Sequence, residues 1–149
     1  MSCDIWKSVR LAYGKNGLLI RVPADAVVIE PRYVPGLSDE RAAILDALRR
    51  PIESPPLRDL VKPGHRVVIV HTDITRATPN DRLLPPILAE LEAAGIRQAD
   101  ITLLNALGTH RFQTPQELET MLGPEIFANF RCLQHDANDD ANQIGRAHV

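Results

Sequence analysis

Apolar and polar positions form three kinds of run along the chain. Near the start, Ser8-Val9-Arg10-Leu11-Ala12-Tyr13 alternates, and Leu18-Leu19-Ile20-Arg21-Val22 does so less strictly. A period of two predicts strands. The intervening Gly14-Lys15-Asn16-Gly17 tolerates positive φ, so the two runs predict a hairpin. A third strand is expected over Ala26-Val27-Val28-Ile29-Glu30, after a Pro23-Ala24-Asp25 turn. Past a linker from Pro31 to Gly36 the period changes. Ser38 is placed to cap a helix whose inward stripe is Ala42, Ala43, Leu45, Ala47 and Leu48, and Pro51 ends it. Leu57-Arg58-Asp59-Leu60, between Pro55-Pro56 and Pro63, has room for one helical turn.

The third kind of run is short, apolar and nearly continuous. Arg66-Val67-Val68-Ile69-Val70-His71 and Ile101-Thr102-Leu103-Leu104-Asn105-Ala106-Leu107 have this form. Such runs predict parallel strands buried on both faces. Between them Leu83, Leu84, Ile87, Leu88, Leu91 and Ala94 recur with helical period, and Gly95 stands where a left-handed C-cap belongs. Strand, helix, strand is a βαβ crossover. Pro85 and Pro86 must lie in the first turn of that helix or kink it. Thr114-Pro115-Gln116-Glu117 is a capping box with proline at the first helical position. Leu118, Met121 and Leu122 face inward and Gly123 closes this helix. A short helix at 125–129 and a strand at 130–133 follow. The expected fold is α/β: an N-terminal β-hairpin plus a Rossmann-like βαβ unit with parallel strands.

Composition narrows the function classes. The 149 residues suffice for one domain with a core. Nineteen acids against 17 bases give a net charge of −2, without the basic excess that nucleic-acid binding needs. No run approaches a membrane span, and Met1 to Lys7 lacks the apolar core of a signal peptide. Cys3 and Cys132 have no metal or disulfide spacing, which fits a reducing cytoplasm, the expected location. Aromatics are only 4%, and 12 prolines fix many corners. The chain has no HxxxH, HExxH, GxGxxG or P-loop pattern, so no self-contained metal site or standard nucleotide signature is expected.

In open parallel sheets, ligands bind at the carboxyl ends of strands. Two polar clusters fall there. His71-Thr72-Asp73-Ile74-Thr75-Arg76-Ala77-Thr78-Pro79 offers a carboxylate, three hydroxyls and a guanidinium. Gly108-Thr109-His110-Arg111 offers room for close backbone approach, a hydroxyl, an imidazole and another guanidinium. Neighbouring strands would open both loops onto one crevice. Each residue also has an ordinary role. Asp73 and Thr75 can form a local turn, Arg76 can be solvated, and His110 can be a structural histidine. In the sharper reading, Arg76 grips a carboxylate or phosphate with two parallel bonds and His110 is a general base. His65, His71 and His135 favour the structural role.

Five motifs in register carry a resemblance: Ser54-Pro55-Pro56-Leu57, Asp73-Ile74-Thr75-Arg76-Ala77-Thr78-Pro79, Leu84-Pro85-Pro86, Ala106-Leu107-Gly108-Thr109-His110-Arg111 and His135-Asp136-Ala137. Together with Tyr13-Gly14-Lys15 they resemble the N-terminal domain of the nickel-dependent lactate racemases, over about residues 9 to 140. The resemblance implies interconversion of the stereoisomers of a small-molecule 2-hydroxy acid. It implies a nickel-pincer nucleotide as cofactor, and two histidines, one per substrate face, that move the hydroxyl proton. It places His110 as one of that pair, Arg76 on the substrate carboxylate and Asp73 at the cofactor's edge. Thr75, Gly108 and Thr109 are further candidates for cofactor contact.

The family's second catalytic histidine, cofactor-tethering lysine and nickel-ligating histidine have no counterpart before residue 149, so the remaining C-terminal region of the protein is an expected partner. Residues 1–142 are expected to be a partial N-terminal cofactor- and substrate-binding domain, inactive alone. Residues 143–149 can be encoded by CAG ATC GGA AGA GCA CAC GTC, which resembles a short-read sequencing adapter, and are expected to be a non-native tail. Two alternatives remain. One is a non-redox isomerase or lyase on the same scaffold. The other is a non-catalytic nucleotide- or carboxylate-binding module with Thr75, Arg76 and the next helix N-terminus as an anion cradle.

Overall fold

The computed structural model describes residues 5–139 and 141. The tail at 143–149 lies outside them. The chain divides into two compact units, Met1–Gly36 and Leu37–Val149.

In the first unit, β1 (Trp6–Leu11) and β2 (Leu18–Pro23) form an antiparallel hairpin, with Trp6 opposite Pro23 and Leu11 opposite Leu18. The expected turn is present. Gly14 and Gly17 have φ of 55° and 70°, and the Gly17 N–H donates to Tyr13 O at 2.9 Å. The Arg21 guanidinium lies 5.7 Å from the centre of the Trp6 ring. The expected third strand at 26–30 does not form. Val27 and Ile29 are exposed, and Lys7 Nζ donates to Ala26 O at 2.5 Å. β-Branched residues favour an extended backbone, but a strand also needs a partner, and this segment pairs with none among the described residues.

The second unit holds a three-stranded parallel sheet of β3 (Val67–Thr72), β4 (Ile101–Ala106) and β5 (Arg131–Gln134), in the order β3-β4-β5. Val67 pairs with Ile101, His71 with Asn105 and Asn105 with Gln134. Both crossovers are helical, through α3 (Asn80–Ala93), then α4 (Pro115–Leu122) and α5 (Pro124–Asn129). The core is Leu84, Leu88, Leu91, Ile96, Ile101, Leu103, Leu122 and Ile126. The mixed α/β class with parallel βαβ topology is as expected. Burial on both faces is not: Val68 and Val70 are 57% and 62% exposed, while their neighbours Val67 and Ile69 pack against the core. A continuous apolar run therefore reads here as a sheet with one covered face, since alternate side chains point to opposite sides.

Two short helices precede the sheet, α1 (Glu40–Arg49) and α2 (Leu57–Leu60). The cap of α1 is Asp39 rather than Ser38. The helix begins at Glu40, which puts Ala42 N within 2.8 Å of the Asp39 carboxylate. No α1 residue is fully buried; Ala43, Ile44, Leu45 and Leu48 are half-buried, while Ala42 and Ala47 are exposed. Ile44 thus takes a place on the inward face that had been expected of the two alanines. Glu90 of α3 binds this layer. Its Oε1 accepts from Arg49 Nη2 at 2.7 Å and Arg58 Nη2 at 2.8 Å, and its Oε2 accepts from Arg58 Nε at 2.5 Å. The two guanidiniums, Arg49 first, hold the Glu90 carboxyl down at about 2.

Pro85 and Pro86 lie past the first turn of α3, which runs unbroken from Asn80 to Ala93. Without N–H groups they cannot bond the carbonyls of Asp81 and Arg82, and Pro86 instead fills buried space. Gly95, with φ 84°, reverses the chain; a Cβ there would come within 2.8 Å of Pro63 Cγ. The α4 capping box forms in full, with Thr114 Oγ1 accepting from Glu117 N and Glu117 Oε2 accepting from Thr114 N. Among the described residues, no helix is long and apolar enough to cross a membrane.

Candidate functional site

The parallel register brings the carboxyl ends of β3 and β4 side by side, with Thr72 opposite Ala106. The loops that leave them open onto one cleft of about 270 Å³. It is lined by Thr72, Asp73 and Arg76 from the first loop and by Ala106, Leu107, Gly108, Thr109 and His110 from the second. The crevice expected from the strand order is therefore present. Of the six candidate residues, five line it. Thr75 does not, but it bonds to one that does.

The first loop is shaped by Asp73. Its Oδ1 accepts from Thr75 Oγ1 at 2.7 Å and from Thr75 N at 3.2 Å, and its backbone O accepts from Arg76 N at 3.1 Å. This is the local Asx turn that such a spacing permits. It leaves the second carboxylate oxygen for another partner. Oδ2 meets Nδ1 of His110, 37 residues further along. The local turn and the contact with His110 use different oxygens of one carboxylate.

The second loop is a tight turn, with His110 N donating to Leu107 O at 3.1 Å. Gly108 at its first central position has φ 57°. A Cβ there would meet nothing within 4 Å, so the backbone angle is what calls for glycine. The turn carries His110 to the cleft with its ring half-exposed.

The electrostatics follow from these contacts. Asp73 is only 3% exposed. The Thr75 hydroxyl first, then the His110 ring, hold its carboxyl below the usual range, against the opposing effect of burial. An ionised Asp73 accepts from Nδ1–H, which fixes the tautomer of a neutral His110 and leaves the lone pair on Nε2. That nitrogen has no hydrogen-bond partner among the described residues. The Arg76 guanidinium, also on the cleft, is exposed and forms no ion pair among them. Imidazole and guanidinium thus line one cleft.

Beneath the cleft lies a polar row. His71, Asn105 and Gln134 sit side by side on the three strands. Burial pushes the His71 imidazole toward its neutral form, and its Nδ1 bonds only to its neighbour's carbonyl, Thr72 O. Its Nε2, like both side-chain polar atoms of Asn105, is buried with no partner among the described residues. Among the described residues no group of three His, Cys, Asp or Glu side chains assembles as metal ligands.

Three features had no clear signal in the sequence. Asp73 as partner of His110, Gln113 as a link between the loops, and Glu90 as an anchor all depend on partners more than 30 residues away. Glu90 left one trace, an acid one position before Leu91 on a helix with an apolar stripe.

The profile of the lactate racemase N-terminal domain matches residues 13–148. The chain belongs to the lactate racemase N-terminal domain family. It is 28% identical over 140 residues to the lactate racemase of Thermoanaerobacterium thermosaccharolyticum, a match covering 91% of this chain and 32% of that protein. It is 31% identical over 105 residues to the lactate racemase of Lactiplantibacillus plantarum, covering 70% of this chain and 24% of the relative. The solved lactate racemase apoprotein from T. thermosaccharolyticum superposes with a TM-score of 0.71 at 27% identity, over 91% of this chain and 32% of that one. The chain thus spans about a third or less of the relatives it matches.

Proposed function

We propose that this chain supplies one wall of the active site of a 2-hydroxy-acid racemase, with His110 as the proton-transferring base of that wall. The observation that carries the reading is the contact between Asp73 Oδ2 and His110 Nδ1, on a cleft that Arg76 also lines. It supplies an oriented imidazole and a cation on one small surface. The lactate racemase relatives support the substrate class.

Each residue then has a task set by its chemistry. Arg76 receives the planar substrate carboxylate through two parallel N–H donors. His110 Nε2 accepts the hydroxyl proton, and the imidazolium formed is stabilised by the ionised Asp73. On return, the same nitrogen gives the proton back to oxygen. Thr109 and the backbone around Gly108 are placed to donate to ligand oxygens.

The nickel-pincer nucleotide of the family fits this wall in part. Thr72 Oγ1 is buried without a partner among the described residues, and Arg76 is unpaired. Both suit an oxygen-rich, anionic ligand. Asp73, also on the cleft, favours a pyridinium lodged there. Among the described residues no three-ligand set for nickel accompanies them. When bound, the cofactor supplies the hydride acceptor for C2 of the substrate.

The test is His110→Ala in a complete protein carrying this domain. Racemisation of a 2-hydroxy acid should be lost while nickel content stays near that of the parent. Unchanged racemisation would remove His110 from this role. Full activity without nickel would favour the non-redox isomerase instead.

A further inference from the structure

We infer that Gln113 is a positioning residue that sets the spacing between the two cleft loops. The inference rests on the reading of the cleft as a 2-hydroxy-acid site. Gln113 is 5% exposed and does not line the cleft, so it acts through other groups. Its side chain bridges the loops. Oε1 accepts from Ile74 N at 3.2 Å, in the loop that carries Asp73 and Arg76. Nε2 donates to Arg111 O at 3.2 Å, in the loop that carries His110.

Gln113 is itself held from behind. Its N–H donates to Gln134 Oε1 at 2.7 Å, and its carbonyl accepts from Gln134 Nε2 at 3.0 Å. Gln134 is the last residue of β5, and the adjoining His135 N donates to Asn105 O at 2.9 Å. A chain of bonds therefore runs from the rigid sheet through Gln134 and Gln113 to the backbone beside Asp73. The Asp73–His110 contact is the only other side-chain bond between the two loops among the described residues. A carboxylate–imidazole pair changes its charge during proton transfer. A neutral amide clamp does not, and so holds Arg76 and His110 at constant separation through the cycle. Misplacing reacting groups by a fraction of an ångström to an ångström is enough to slow a reaction many-fold.

The test is Gln113→Met, which removes acceptor and donor at similar length. Amide hydrogen exchange in this chain should accelerate at Ile74 by about tenfold, with Leu103 unchanged. In a complete racemase, Gln113→Met should lower kcat by about tenfold, with a smaller change in KM. Unchanged Ile74 exchange in Gln113→Met, equal acceleration at Leu103, or an unchanged kcat in an active racemase would overturn the proposal. If Gln113→Met does not fold, Gln134→Met should give the same Ile74 acceleration, and its absence would overturn the proposal as well. Absence of racemisation in the parent would count against the site reading alone, since the exchange measurement judges the clamp independently.

Discussion

Replacing Glu90 by glutamine keeps its shape and removes its charge, which mimics the protonated acid. In the folded chain the Glu90 side chain is 2% exposed, between Arg49 and Arg58 at 52% and 42%. Their hydrogen bonds lower its carboxyl from 4.5 to about 2. Taken at face value, that difference corresponds to about 3 kcal/mol. Both guanidiniums are half in water and screened, so about 1–2 kcal/mol is expected. The sign follows from linkage. A carboxyl with a depressed folded value contributes fully above its unfolded value of 4.5, and the contribution is lost as pH falls toward about 2. Urea unfolding followed by far-UV circular dichroism measures this directly. At pH 7 the Glu90→Gln variant should be less stable than the parent by about 1–2 kcal/mol. The gap should narrow through pH 4 and 3, because the unfolded parent takes up a proton on Glu90 there while the folded form still resists it. No gap at pH 7, or one that stays constant down to pH 3, would refute the reasoning.

Other outcomes follow from the same structure. Leu103→Ala empties a position that is 0% exposed in the middle strand and should cost about 2–5 kcal/mol in urea unfolding. Gly95→Ala combines φ 84° with a 2.8 Å approach to Pro63, and should lower stability by about 1–2 kcal/mol in the same assay. Arg76→Lys in a complete racemase should raise KM for the hydroxy acid by about tenfold with a smaller change in kcat, because an ammonium cannot make two parallel bonds to a carboxylate. A larger loss in kcat than in KM would place Arg76 in the chemical step instead.

The elements legible in the sequence are those with local causes. The hairpin follows from glycines in its turn, α4 from its capping box, and the βαβ unit from its change of period. The cleft loops were legible too, because strand order alone places them together. What escaped depends on distant partners. The segment at 26–30 has strand composition but nothing to pair with among the described residues, and the faces of β3 differ in cover although its residues are uniformly apolar. The Asp73–His110 and Ile74–Gln113 bonds span 37 and 39 residues. Sequence patterning identified Asp73 and His110 as polar residues at strand ends, but not that one would orient the other.

The central claim is that Asp73 holds His110 with its free lone pair on Nε2. Nitrogen-15 chemical shifts of the His110 ring, followed through its titration, measure this directly. The neutral ring should carry its proton on Nδ1 in the parent and shift toward the Nε2–H form in Asp73→Asn. A neutral parent ring protonated on Nε2, or one whose tautomer ignores the Asp73 substitution, would contradict the account.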